Sequence, residues 1–394
     1  MYQDYLTRGS KSHRPGRWLP LLLLLLAVAV TGCNASHAPF STATPGRASS
    51  TPLLSSSPLP GAQRIDTYLT QLMQRGVLSG SVLVAHNGMV FAKGYGLADK
   101  ETRIPNTPQT RFRLGSVTKQ FTAMAILLLQ DQGRLRVQDP ICRSIPACPT
   151  DWLPITIEQL LTHTSGIPDY TNFPDFAVTW TQPVTVEELI ARFKDRPLDF
   201  PPGSRFRYSS SGYVLLGSII EHVSGESYAA FLQTHIFAPL QMHNTGYDTT
   251  SPALPQHATG YYQGYVRPAL YDMSVLYAAG ALYSTVEDLA LWDQALVQHR
   301  LISAQSLAAM FSVHVPCPPS GSPGGCLLSA DQGYGYGWFI AAEPQGKLIY
   351  HVGHIDGFLS YNGFYAGKNL AVVVLSNLET TDVLSIGRRL AAMV

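Results

Sequence analysis

Ser116 and Lys119 stand three residues apart in the run Arg-Leu-Gly-Ser116-Val-Thr-Lys119-Gln-Phe. The residues that follow, Thr-Ala-Met-Ala-Ile-Leu-Leu-Leu-Gln, are apolar on almost every side, which predicts a helix sunk in a core. Ser116 then lies at or near the helix N-terminus, with Lys119 one turn later on the same face. The positive end of the helix dipole favours the charge that a nucleophilic hydroxyl must develop. An amine in apolar surroundings loses its proton more readily and can accept one from that hydroxyl. Taken alone, the pair is equally compatible with a capping serine and a lysine whose stem lies along apolar surface. Two further runs, in a fixed order, change its weight: Tyr208-Ser209-Ser210, and His351-Val352-Gly353 ahead of a strand.

The elements that must position these residues are legible from periodicity. Ile65–Gln74 has helical spacing and leads into Ser81–His86, a β-branched run. Asn87-Gly88 is a strong hairpin signal, and Met89–Tyr95 returns as the partner strand. The buried helix follows at about 116–131. Helical runs then fill the middle of the chain, at 156–162, 185–193, 212–223, 227–236 and 286–297. Strand-like runs come back at Tyr336–Ile340, Leu348–His351, Phe358–Tyr365 and Leu370–Ser376, and Val383–Met393 reads as a terminal helix. Strands at both ends and helices between them predict an α+β fold: one antiparallel sheet flanked by terminal helices, with a mostly helical insertion beside it. A cleft between sheet and insertion is the natural place for a site.

Arg14 and Arg17 precede an apolar run of Leu19 and Leu21–Val30, broken only by Pro20 and short for a bilayer span. This predicts an export signal over residues 1–32. The run ends in Val30-Thr31-Gly32-Cys33, which resembles the bacterial lipobox. That resemblance implies lipidation of Cys33, which would then become the mature N-terminus; an ordinary signal peptide with a chance cysteine is the rival reading. Residues 33–60, rich in Ser, Thr, Ala and Pro with almost no charge, read as anchor and flexible linker, and residues 61–394 as the folded domain. The 27 Lys+Arg and 26 Asp+Glu fall to 23 and 25 once the four basic and one acidic residue of 1–32 are set aside. A charge so balanced offers no basic footprint for nucleic acid.

Five cysteines in an exported chain leave one over. With Cys33 carrying lipid, Cys142 pairs with Cys148 and Cys317 with Cys326, each within a Pro-containing loop. Loops this short would gain ~2 kcal/mol each by the chain-entropy argument. A metal site is the weaker alternative, because no His-Cys spacing resembles a zinc pattern.

Beyond the three runs, the chain carries Leu160-Leu-Thr-His-Thr-Ser-Gly-Ile, Phe206-Arg-Tyr-Ser-Ser-Ser-Gly-Tyr-Val-Leu-Leu-Gly, Ala278-Ala-Gly-Ala-Leu-Tyr-Ser-Thr and Tyr334-Gly-Tyr-Gly-Trp. Over about residues 61–394 it resembles the penicillin-recognising serine hydrolases, in the branch of class C β-lactamases, D,D-peptidases and related esterases. The resemblance implies that Ser116 is the nucleophile of an acyl-enzyme, that Lys119 takes or shares its proton, and that Tyr208 serves as general base, its phenolate stabilised by the ammonium. It implies that His351-Val352-Gly353 is the third element, at the substrate, and that the backbone N–H groups of Ser116 and His354 form the oxyanion hole. Lys119 and Tyr208 are treated as a coupled pair. A serine hydroxyl is a poor nucleophile until a base takes its proton. Neither metal nor organic cofactor is expected, since nucleophile, base and oxyanion donors all come from the chain.

Two departures bear on substrate. The second element usually ends in Asn, whose amide both donates and accepts; Ser210 is shorter and reaches less far. The third element usually begins with Lys; a neutral His351 attracts a substrate carboxylate more weakly. Both favour an esterase or peptidase-like hydrolase of a small ester, amide or peptidoglycan-like substrate over an efficient β-lactamase or D-alanyl-D-alanine carboxypeptidase. A catalytically inactive binding lipoprotein is the alternative of another class. His163, in the turn before Thr-Ser-Gly, reads as structural, and Trp338 as core.

Overall fold

The computed structural model describes residues 59–249, 256–269, 271–318, 326–328 and 331–394. The expectations for the export signal, for Cys33 and for nearly all of the linker lie outside the described residues. An eight-stranded antiparallel sheet carries the fold. Its strands are β1 Gly80–His86, β2 Met89–Tyr95, β3 Val315–Pro316, β4 Asp331–Tyr334, β5 Phe339–Glu343, β6 Gly346–Ile355, β7 Phe358–Tyr365 and β8 Leu370–Ser376. Across the sheet they run β2-β1-β8-β7-β6-β5-β4-β3, so the first and last thirds of the chain interleave at β1 and β8.

The central strands are apolar at nearly every position because both faces of the sheet are covered. In β1 and β8, Val82, Val84, Val372 and Val374 meet the terminal helices α1 (Ala62–Gln74) and, near the C-terminus, Val383–Ala391, through Ile65, Leu69, Ile386 and Leu390. Leu83, Val373 and Leu375 point the other way, into the core shared with the helical region. This two-residue alternation fixes the pairing register, since a slip of one residue would exchange the two faces. The helical region comprises α2 Thr118–Asp131, α3 Ile157–Leu161, α4 Val186–Lys194, α5 Ser210–Ser224 and α6 Val286–Val297, with short helical turns between them; the C-terminal helix is α7. Helices α3 and α4 begin at capping boxes on Thr156 and Thr185, whose side chains receive the N–H groups of Gln159 and Glu188. The segment expected to be helical over 227–236 is Tyr228–Leu232 followed by a wider turn over Gln233–Phe237.

One strand assignment is corrected. Tyr336–Ile340, expected as a strand, is mostly the turn between β4 and β5: Gly335 N–H donates to Trp338 O at 2.8 Å and Gly337 has φ +80°. Gly337 also sits where a Cβ would lie 2.7 Å from the Lys119 carbonyl, so the turn packs directly on α2. Trp338 is fully buried, as core. Cys142–Cys148 and Cys317–Cys326 are bonded, with Cα separations of 5.4 and 5.5 Å. Among the described residues no helix is long and apolar enough to cross a membrane.

Candidate active site

Ser116 lies in a single 3₁₀ turn, Gly115–Val117, that runs straight into α2. The turn is wedged against the free edge of β6. Pairing of β5 with β6 begins at Phe339–Tyr350, so residues 351–355 have no strand on that side. Gly115, at φ +52°, brings its Cα so close that a Cβ would be 2.9 Å from the backbone N of His354. Ser360 Oγ donates to Leu114 O at 2.6 Å and ties the turn to β7 as well. Alternation along β6 does the rest: position 353 faces Leu114, while the His354 ring points away and its Nε2 meets Glu379 at 2.8 Å. His354 therefore offers the serine turn its backbone, not its imidazole.

Lys119 is buried at the first turn of α2. Its Nζ donates to Ser116 Oγ at 3.0 Å and to the carbonyl of Ala279 at 2.9 Å. The same ammonium lies 4.9 Å from the ring centre of Tyr208 and 5.4 Å from that of Tyr213. Burial lowers its pKa to about 7, against a smaller opposing pull from Asp169. The lysine thus sits at the balance between proton carrier and proton acceptor near neutral pH.

Tyr208 precedes α5, half-buried beside Lys119. Burial pushes its phenol well above the ordinary value of 10; the Ser116 hydroxyl eases this, while Tyr213 and Asp169 add to it. Among the described residues no hydrogen bond of good geometry closes onto the Tyr208 hydroxyl, so the Ser116 hydroxyl is its neighbour without being a formal partner. The resting tyrosine is the neutral phenol, in contrast to the phenolate implied by the resemblance. Ser210, expected at the substrate, is the first residue of α5 and half-buried.

His351, expected at the substrate, is 1% exposed. Its Nε2 pairs with the Tyr334 hydroxyl at 3.0 Å and its Nδ1 lies 2.6 Å from Val352 O. Burial, the nearby Lys119 ammonium adding to it, lowers its pKa to about 3, so it is neutral. It shares a strand face with Gly353, beneath the tyrosine and the lysine, and meets Tyr208 ring to ring at 6.2 Å.

Position 353 requires glycine for a steric reason. A Cβ there would lie 1.9 Å from Leu114 O and 2.4 Å from Ser360 Oγ. Gly353→Ala is expected to cost about 1–3 kcal/mol of stability by overpacking, read as a lower melting temperature. It should also slow covalent labelling of Ser116, because the serine turn must retreat from β6.

Three contributors escaped sequence reasoning. The Ala279 carbonyl that holds Lys119 belongs to the run Ala278-Ala-Gly-Ala, which is recognisable but carries no side-chain chemistry. Asp169 is buried beside the lysine; burial raises its carboxyl, while the Thr171 N–H and hydroxyl, the Ser210 N–H and Lys119 oppose that. Only its position after Ser165-Gly-Ile-Pro could have drawn notice. His163 packs on Tyr208 itself, with ring centres 4.2 Å apart. A cavity of about 560 Å³ adjoins the site through Thr164 and Phe206 but contains none of Ser116, Lys119 and Tyr208.

A buried lysine on a serine at a helix start, beside a strand edge in an antiparallel sheet, defines the class: a serine hydrolase of the penicillin-recognising fold. Residues 65–392 match the Beta-lactamase family, and the chain belongs to it. Over 321 residues it is 33% identical to the putative penicillin-binding protein PbpX of Bacillus subtilis, covering 80% of this chain and 74% of that one. A penicillin binding protein from Bacillus halodurans has a similar structure, with TM-score 0.73 and 28% identity over 83% of this chain and 99% of that one. So does a D-amino acid amidase from Ochrobactrum anthropi SV3 crystallised with D-phenylalanine, with TM-score 0.74 and 26% identity over 84% and 98%. The chain is accordingly an enzyme, a serine hydrolase of the family that works through an acyl-enzyme.

Proposed function

We propose that this enzyme hydrolyses an ester or amide that lacks a carboxylate through an acyl-enzyme on Ser116, and that it does so outside the cytoplasm on a lipid tether. The observation that carries the chemistry is the 3.0 Å contact from Lys119 Nζ to Ser116 Oγ, made by an amine whose pKa is about 7. In the neutral amine form, Lys119 takes the hydroxyl proton as Ser116 Oγ attacks the substrate carbonyl. The negative charge moves to the carbonyl oxygen, which the N–H groups of Ser116 and His354 stabilise, worth about 10²–10³ in rate per donor. Collapse expels the alcohol or amine, which takes a proton from the neutral phenol of Tyr208. The resulting phenolate recovers that proton from the lysine ammonium. Water then attacks the acyl group by the same route and releases the acid.

The preference for substrates without a carboxylate follows from the third element. Where relatives of this fold carry a lysine, His351 is buried and neutral and gives a substrate carboxylate no cation. A second reading, action on cell-wall peptides or β-lactams, is favoured by the likeness to penicillin-binding proteins. The amidase among the similar structures supports the first.

The tether rests on the Val30-Thr31-Gly32-Cys33 run after a basic and apolar leader. Two disulfides suit an oxidising compartment. Side-by-side kcat/KM values for a p-nitrophenyl ester, a D-amino acid amide, nitrocefin and a D-Ala-D-Ala peptide test the substrate assignment. The ester and the amide are expected to exceed the two carboxylate-bearing substrates by about tenfold or more, the worth of one lost charged contact. The reverse order would establish the peptidase or β-lactamase reading.

A further inference from the structure

His163 holds a backbone conformation that few non-glycine residues adopt, with φ +58°. Such strain persists where the surroundings demand it. Here the strained residue grips the segment that carries Tyr208 at three consecutive positions. Its carbonyl accepts from the N–H of Arg207 at 2.9 Å. Its ring lies against the Tyr208 ring, centres 4.2 Å apart at 30°. Its Nδ1 accepts from the N–H of Ser209 at 3.1 Å. The other sides of the imidazole are walled by Tyr213 at 5.1 Å, Tyr334 at 4.8 Å and Phe206 at 5.9 Å, leaving the ring 2% exposed.

We propose that His163 is a positioning residue: its backbone, ring and Nδ1 together set the Tyr208 phenol beside Ser116. This goes beyond the acyl-enzyme reading and rests on it. Tyr208 needs such a device because, among the described residues, no well-formed hydrogen bond reaches its hydroxyl, and the Ser116 hydroxyl is a neighbour there without being a formal partner. Its place is set from the ring and the backbone alone. With the ring held still the phenol oxygen is fixed in place, and its O–H hydrogen can turn between Ser116 and a leaving group. The acceptor role of Nδ1 puts the ring hydrogen on Nε2 and requires a neutral imidazole. Burial, reinforced by the charge of Lys119 and by His351, keeps it neutral. The ring therefore serves as a fixed wedge and does not shuttle protons.

The test is a series at position 163 read by the rate of Ser116 adduct formation with a fluorophosphonate probe and by ester turnover. His163→Gly removes ring and acceptor while accepting the positive φ. His163→Asn also tolerates that φ and restores an acceptor without the stacked ring. His163→Gly is expected to lower kcat by about 10²-fold with KM changed by no more than a few fold, since misplacing a catalytic group by about 1 Å costs that much. His163→Asn is expected to recover part of the loss. In a Tyr208→Phe background the same His163 changes should cost little, because the hydroxyl they position is gone.

A folded His163→Gly protein with unchanged kcat overturns the proposal. So does a loss of equal size in the Tyr208→Phe background, which would mark a general effect on folding. Wild-type protein is assayed first: absence of any adduct on Ser116 would overturn the acyl-enzyme reading, and this one with it. Equal labelling across the series would overturn this one alone.

Discussion

Ser116→Ala is expected to abolish covalent labelling by a fluorophosphonate probe and to lower ester turnover by roughly 10⁴-fold or more. The change removes one oxygen, but that oxygen is the atom on which the site converges. It receives the Lys119 hydrogen bond at 3.0 Å, it is the neighbour that eases the Tyr208 phenol, and it rides on the turn pressed against His354. The fold does not depend on it, since the turn is held by Leu114 through Ser360 Oγ and by the Leu282 carbonyl. The Ala variant should therefore melt close to the wild type. Intact mass with and without probe, next to a thermal melt, makes the measurement. An adduct of undiminished yield on the Ala variant would place the nucleophile elsewhere.

Lys119→Arg is expected to cost about 10²–10⁴ in kcat/KM, the range for loss of a general base. Arginine keeps the positive charge and reach but stays protonated at any working pH, so it cannot take the serine proton. In the wild type the competent form is the neutral amine, present above its pKa of about 7. kcat/KM should then rise about tenfold per pH unit below 7 and level off above it, and the Arg variant should lack that limb. A wild-type profile flat from pH 5 to 9, or an Arg variant of normal activity, would transfer the base role away from the lysine. The same group predicts a stability effect that needs no substrate. Its pKa is 10.5 when solvated and about 7 when folded, so the native state binds fewer protons than the unfolded state between those values. Stability should accordingly rise with pH through that window, and Lys119→Met should remove that contribution.

These predictions concern residues close together in the fold and far apart in the chain. Lys119 and the carbonyl that holds it are 160 positions apart. The Leu114 carbonyl and Ser360 are separated by 246. Each local segment nonetheless carried its own signal. The Ser116–Lys119 spacing and the apolar run after it were enough to place a hydroxyl at a helix start and an amine one turn along. Asn87-Gly88 marked the β1–β2 hairpin, as β-turn chemistry requires.

The sequence by itself determined what depends on neighbours in the chain: the strand runs of β1, β7 and β8, the α2 helix, the two short disulfide loops, and the order of the three motifs. From these the α+β class followed, because strands at both ends and helices between them leave few other ways to cover a sheet. Tertiary structure decided the rest, and the reason in each case is burial or a distant partner. His351 looks polar in sequence, yet the packing of Tyr208, Tyr334 and Phe339 around its ring puts the imidazole below the surface and makes it neutral. Tyr336–Ile340 has strand composition, but Gly337 turns it against α2. Asp169 and His163 sit in a loop whose residues announce only a turn; what they do is set by contact with Lys119 and with Tyr208. A charge or a ring acquires its role from the dielectric and the groups around it, and those are assembled only when the two ends of the chain close into one sheet.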